Sequence, residues 1–149
     1  MALAEFRYQL RKFLRHMEEK SRGEGLNPQQ YQFLLAIKGL PRPQAPTVSA
    51  LAERMQLNHN STVELADRCE RRGLVSRLRT GSDRRHVTLF ITAEGDVLLQ
   101  KLATAARQEL RSIGPVLVES VLGLIQDQKA RKPGAAESKK KAGGKKAGP

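Results

Sequence analysis

His59, Asn60, Ser61 and Val63 fall within one run of five residues. Imidazole, amide and hydroxyl groups donate and accept hydrogen bonds, and valine adds an apolar surface. Such a set suits base edges in a major groove, which display donors, acceptors and the thymine methyl. No glycine-rich phosphate loop, nucleophile–histidine spacing or cluster of carboxylates accompanies them, so the chemistry is recognition and an enzyme is not expected. The cationic groups stand apart: Arg68, Arg71 and Arg72 follow in the same segment, then Arg77, Arg79, Arg84 and Arg85. Phosphate contacts position a protein on a duplex and base contacts specify the sequence, so this separation is the one a sequence-reading surface needs.

Such side chains need a rigid carrier, and the spacing of apolar residues predicts one. In TVSALAERM (47–55), Val48, Leu51, Ala52 and Met55 recur every three or four residues, the mark of a short helix buried on one side. In NHNSTVELADRCERRGLV (58–75), Thr62, Leu65, Ala66 and Cys69 do the same, and Gly73 closes the run as a C-terminal cap. At about 100° per residue, Asn60, Val63, Glu64, Asp67 and Arg71 fall on the opposite face. RLRTGSDRRHVTLFI (77–91) reads as two basic strands around a Gly-Ser-Asp tip, with four arginines against one aspartate between 77 and 85. Those charges repel one another unless a polyanion enters, whereas a plain solvated hairpin would mix lysine with glutamate. Two short helices, a tight turn and a hairpin describe a winged helix-turn-helix.

LAERMQLNHNSTVELADRCERRGLV, the Asp83-Arg84-Arg85 tip and the strand ending in ITAEG resemble the MarR family of bacterial transcription regulators, the multiple-antibiotic-resistance regulators. The similarity runs through nearly all of residues 1 to 128 and is densest in 47–95. It implies a homodimer on a pseudo-palindromic operator, usually repressing, often released by a small lipophilic or phenolic effector. It gives base reading to His59, Asn60, Ser61 and Val63, phosphate contact to Ser49 and Arg68, and a minor-groove or phosphate role to Arg84 and Arg85, with Arg77 on the same basic hairpin. Family pockets lie between the dimerisation helices and the DNA-binding lobe, which makes Phe13, Tyr31 and Leu35 candidate lining residues. Glu64 departs from this pattern: an acid on the groove face either accepts from a cytosine amino group or repels phosphate.

The remaining segments build the body. Leu3, Phe6, Leu10, Phe13, Leu14 and Met17 form an apolar stripe opposite Arg7, Arg11, Lys12 and Arg15, an amphipathic helix that Glu18, Glu19 and the GEGLNP break mark as packed rather than membrane-bound. Asn27 caps a second helix with Pro28 in its first turn, and Tyr31, Leu34, Leu35 and Ile37 point inward. Three prolines make 40–46 a loop, and Thr47-Val48 can add a short strand to the wing. Thr92 caps a long helix that Gly114-Pro115 is expected to interrupt. The final helix, 115–127, is apolar around most of its circumference. A terminal helix this hydrophobic needs cover. With Leu3, Phe6 and Leu10, its Val118, Val121, Leu122 and Ile125 are the candidate dimer interface, the alternative being a helix packed inside its own subunit.

The expected fold is therefore mainly α with a small β-hairpin, a winged helix-turn-helix flanked by N- and C-terminal dimerisation helices at 1–22 and 93–128. Residues 129–149 hold eight Lys or Arg and one Glu, contributing +7 of the formal +12 and leaving +5 for the body. This lysine-rich tail lacks apolar periodicity and is expected to be disordered, either adding sequence-independent phosphate contacts or serving solubility. No stretch approaches the roughly 18 apolar residues of a membrane span, and the N-terminus does not read as a signal peptide, so a cytoplasmic protein is expected. The single Cys69 reads as a core residue. His16, His59 and His86 show no ligand spacing, so neither a metal nor a cofactor is expected. The competing function is an architectural, nucleoid-type DNA-binding protein whose tail dominates and whose winged helix reads little sequence.

Overall fold

The computed structural model describes residues 2–79 and 87–130. Its elements run α1 (Ala2–Gly23), α2 (Pro28–Lys38), α3 (Val48–Met55), α4 (His59–Arg71), β1 (Val75–Arg79), β2 (Val87–Ile91) and α5 (Ala93–Ala130). This is the mainly helical winged helix-turn-helix that the periodicities predict.

Local chemistry sets each boundary. The Asn27 side chain accepts from the Gln29 amide at 2.9 Å while Gln30 Oε1 accepts from the Asn27 amide at 3.1 Å, a reciprocal cap with Pro28 just inside the helix. Thr47 caps α3 by accepting from Ala50, and Asn58 caps α4 by accepting from Ser61 at 2.8 Å. Gly73 follows α4 at φ +69°, a left-handed turn that releases the chain into β1. The Thr92 hydroxyl donates to the Gly73 carbonyl at 2.6 Å and accepts from the Gly95 amide at 3.1 Å, joining the end of α4 to the start of α5.

β1 and β2 pair antiparallel with Val75 opposite Ile91 and Arg77 opposite Leu89. Thr47 bridges to Thr88, and the Leu89 amide donates to the Pro46 carbonyl at 3.0 Å, but the strand expected of Thr47-Val48 is reduced to that single bridge, because Thr47 caps α3 and Val48 is already its first residue. Phe33 and Leu34 on α2 are fully buried at the centre of a core shared with Leu51, Leu65, Leu74 and Leu89.

α5 departs from expectation. It is one helix of 38 residues, and Pro115 lies inside it. Proline removes one hydrogen bond, the one to the Arg111 carbonyl, but both residues face solvent, where water replaces the lost donor. α1 also lies antiparallel along the same stretch: Glu24 Oε2 is 3.0 Å from Lys101 Nζ, His16 Nε2 is 3.9 Å from Glu109 Oε2, and the Ala2 Cβ lies beside Gly123. α1 thus packs against α5 on both sides of Pro115, and its contacts support the helix across the proline. α5 is described as far as Ala130, two residues into the segment expected to be disordered. The rest of that tail lies outside the described residues.

Gly95 shows how closely the first turn of α5 meets the hairpin. A Cβ there would stand 2.2 Å from the Leu74 carbonyl oxygen and 3.0 Å from Ile91 Cγ2. The obstacle is backbone, so the helix itself has to move. We expect Gly95→Ala to cost about 3 kcal/mol, read as a lower denaturation midpoint with an unchanged m-value; a midpoint equal to the parent's contradicts this packing.

Candidate nucleic-acid interface

α4 is divided sharply. Thr62, Leu65, Ala66 and Cys69 are at most 1% exposed, while His59, Asn60, Glu64 and Arg68 are exposed and Ser61 and Val63 half-exposed. The inner face is fixed by the core, and the Thr62 hydroxyl is taken by the Asn58 carbonyl at 2.9 Å. The residues expected to read bases therefore come together on the outer N-terminal half of one rigid helix. Ser49, in the first turn of α3, is exposed as well. Arg84 and Arg85 lie in 80–86, outside the described residues.

Arg77 is placed differently from a freely presented phosphate contact. Its Nη1 donates to Glu70 Oε2 at 2.5 Å and its Nη2 to Asp67 Oδ1, so one guanidinium on β1 spans two carboxylates on α4. Sequence reasoning put Asp67 on the groove face and Arg77 on the hairpin but did not bring them together. The signal was present: acids three residues apart on a helix form one edge, and the first basic residue of the next strand faces it. Arg72 is also engaged, donating to the Gly25 carbonyl at 2.5 Å and to Gln30 Oε1 at 3.2 Å. The end of α4 is thereby clamped to the turn between α1 and α2.

Beside that turn lies a cavity of about 360 Å³, walled by Leu14, Met17, Tyr31, Met55 and Leu57 with Glu18, Ser21 and Gln32 at its polar parts. Of the residues expected to line a pocket, Tyr31 does so. Phe13 and Leu35 are half-buried against the core and are not part of this wall. Burial raises the Tyr31 pKa, which keeps its phenol neutral. Of the expected interface residues, Leu3, Leu10, Val118, Val121, Leu122 and Ile125 are exposed on the α1–α5 pair, and Phe6 is half-buried there. Among the described residues no group of three or more His, Cys, Asp or Glu could hold a metal, and no helix is long and apolar enough to cross a membrane.

Residues 24–86 match the model of the MarR family. The chain is 31% identical over 86 residues to the HTH-type transcriptional repressor MdtR of Bacillus subtilis (strain 168), a match covering 58% of this chain and 54% of that protein. The chain thus spans about half the length of the curated relatives it matches. Its fold is similar to that of AbsC, a MarR family transcriptional regulator from Streptomyces coelicolor (TM-score 0.66, 22% identity, 83% of this chain and 84% of that one). It is also similar to YusO from Bacillus subtilis (TM-score 0.59, 25% identity, 83% and 86%).

Cys69 occupies the buried side of α4. Burial pushes its thiol up to about 11, and the neighbouring charges of Arg68 and Arg72 offset only part of that shift. At pH 8 roughly one molecule in a thousand then carries the thiolate. We expect no reaction with an aromatic disulfide reagent at pH 8 in the folded protein and full reaction in denaturant; rapid labelling of the folded chain would make Cys69 an accessible, reactive thiol instead.

Proposed function

We propose that this chain, which belongs to the MarR family through the winged helix-turn-helix around residues 24–86, is a sequence-specific regulator of transcription. In this reading it acts as a homodimer on a pseudo-palindromic operator and represses. The observation that carries it is the division of α4: one face has no freedom to move, and the other offers His59, Asn60, Ser61 and Val63 to a major groove. Ser49, Arg68 and the wing arginines Arg84 and Arg85 supply phosphate or minor-groove contacts around that helix. Residues 1–128 form the working unit, and the lysine-rich remainder adds affinity without selectivity.

The homodimer rests on the exposed apolar residues of the α1–α5 pair. Val118, Leu122 and Ile125 are each at least 50% exposed on one helix, with Leu3 at 56% on its neighbour. That surface has the character of an interface rather than of a monomer's solvent face. The cavity between α1, α2 and the end of α3 is the site for a small lipophilic or phenolic effector, its walls being mostly apolar and its Tyr31 phenol neutral.

Selection of bound duplexes from a random pool tests the whole reading. A recovered palindrome with half-sites about one helical turn apart supports a dimeric regulator; no enrichment favours the architectural alternative. Asn60→Ala should then lose about 1 to 3 kcal/mol on the selected operator and almost nothing on random DNA in a competition titration. For the interface, Val118→Glu with Leu122→Glu should convert the dimer to a monomer in light scattering, because each places a charge in apolar cover. A dimer surviving both changes overturns that assignment.

A further inference from the structure

The bridge from β1 to α4 suggests a role for Arg77 that phosphate contact does not describe. Its side chain is 26% exposed, less than Asp67 at 46% and Glu70 at 39%, so the arginine is the most covered member of the bridge. In the hairpin register Arg77 stands opposite Leu89, which is fully buried, so its stem leaves the core face of the ribbon. Both terminal nitrogens of this arginine are already bonded to acids of the same chain, so much of the charge a phosphate would meet there is cancelled. Without the arginine, two acids three residues apart would stand bare on the edge of the helix that enters the groove, where a polyanion repels them.

We propose that Arg77 is a positioning residue for DNA binding: it neutralises Asp67 and Glu70 and fixes the wing to α4, without itself touching the duplex. This rests on the DNA-binding reading above. The planar fork makes it possible, since Nη1 and Nη2 serve one carboxylate each, and a lysine has no equivalent geometry. Arg77 accordingly contributes through the charge it cancels, and its loss should be repaired by removing that charge.

The test compares four full-length proteins on one selected operator over a range of salt. Arg77→Gln should bind about tenfold more weakly than the parent. Combining Arg77→Gln with Asp67→Asn and Glu70→Gln keeps size and hydrogen bonding, and should return affinity to within about threefold of the parent with the parent's salt slope. Asp67→Asn with Glu70→Gln, arginine retained, should bind at least as tightly as the parent and carries the test should Arg77→Gln alone fold poorly. The proposal is overturned if the triple variant stays as weak as Arg77→Gln, most directly with a salt slope lower by about one, the signature of a lost phosphate contact. It is overturned equally if Arg77→Gln binds like the parent, or if the paired amide variant binds more weakly. A parent that binds no duplex at any salt refutes the DNA-binding reading itself, which none of the variant outcomes does.

Discussion

Phe33 and Leu34 sit side by side on α2 without solvent contact, and α1, α3, α4, α5 and β2 all pack against the helix that carries them. Each such side chain contributes about 1.5–3 kcal/mol when removed from water, but its geometric effect is larger. Close-packed interiors do not deform smoothly, so once α2 is in place the inner faces of α3 and α4 have one way to seat. Thr62, Leu65, Ala66 and Cys69 are the part of α4 that reads this constraint. The outward direction of Asn60 and its neighbours follows without any interaction of their own.

Most of this arrangement was written in local signals. Asn27 and Thr92 are capping residues in sequence and in space, and the four buried positions of α4 have the spacing of one helical face; the caps at Thr47 and Asn58 emerge only in the structure. The division of α4 into an inner and an outer side was legible for the same reason: it is a property of period alone. What stayed hidden depends on neighbours distant in the chain. Proline at 115 reads as a stop because the rule is local, whereas the support that carries α5 through it is α1, about a hundred residues earlier. The pairing of Arg77 with Asp67 and Glu70 needed the turn at Gly73 and the strand direction before it could be seen. Phe13 and Leu35 are apolar and close to the cavity, but whether a side chain lines a hollow or fills it depends on packing that periodicity does not encode.

Charge is distributed to match. Arg72 is spent on a backbone carbonyl and a glutamine, Arg77 on two acids, and Lys38 on Asp96, whose carboxyl is held below the ordinary range by the hydrogen bonds from Lys38 and Gln100. A strongly basic composition therefore overstates the positive surface of the folded body, since several cations hold elements together. The Arg72 clamp also places the turn at one side of the cavity and the end of α4 under a common restraint, because Gln30, which receives Arg72, also closes the cap at Asn27. A molecule that prised α1 from α2 would strain that restraint.

The unbroken α5 has a mechanical consequence. At about 1.5 Å per residue its 38 residues make a rod about 57 Å long, with its first turn pinned to the end of α4 through Thr92 and Gly73 and its exposed apolar residues near the other end. In two copies joined at those far ends, the rods act as the legs of a pair of callipers. A change of about 5° at the hinge moves each tip by about 5 Å, more than the 3.4 Å rise of one base pair. Selectivity for a spacing between two half-sites would then depend on the stiffness of that leg, and the helix that bridges Pro115 from alongside becomes its splint.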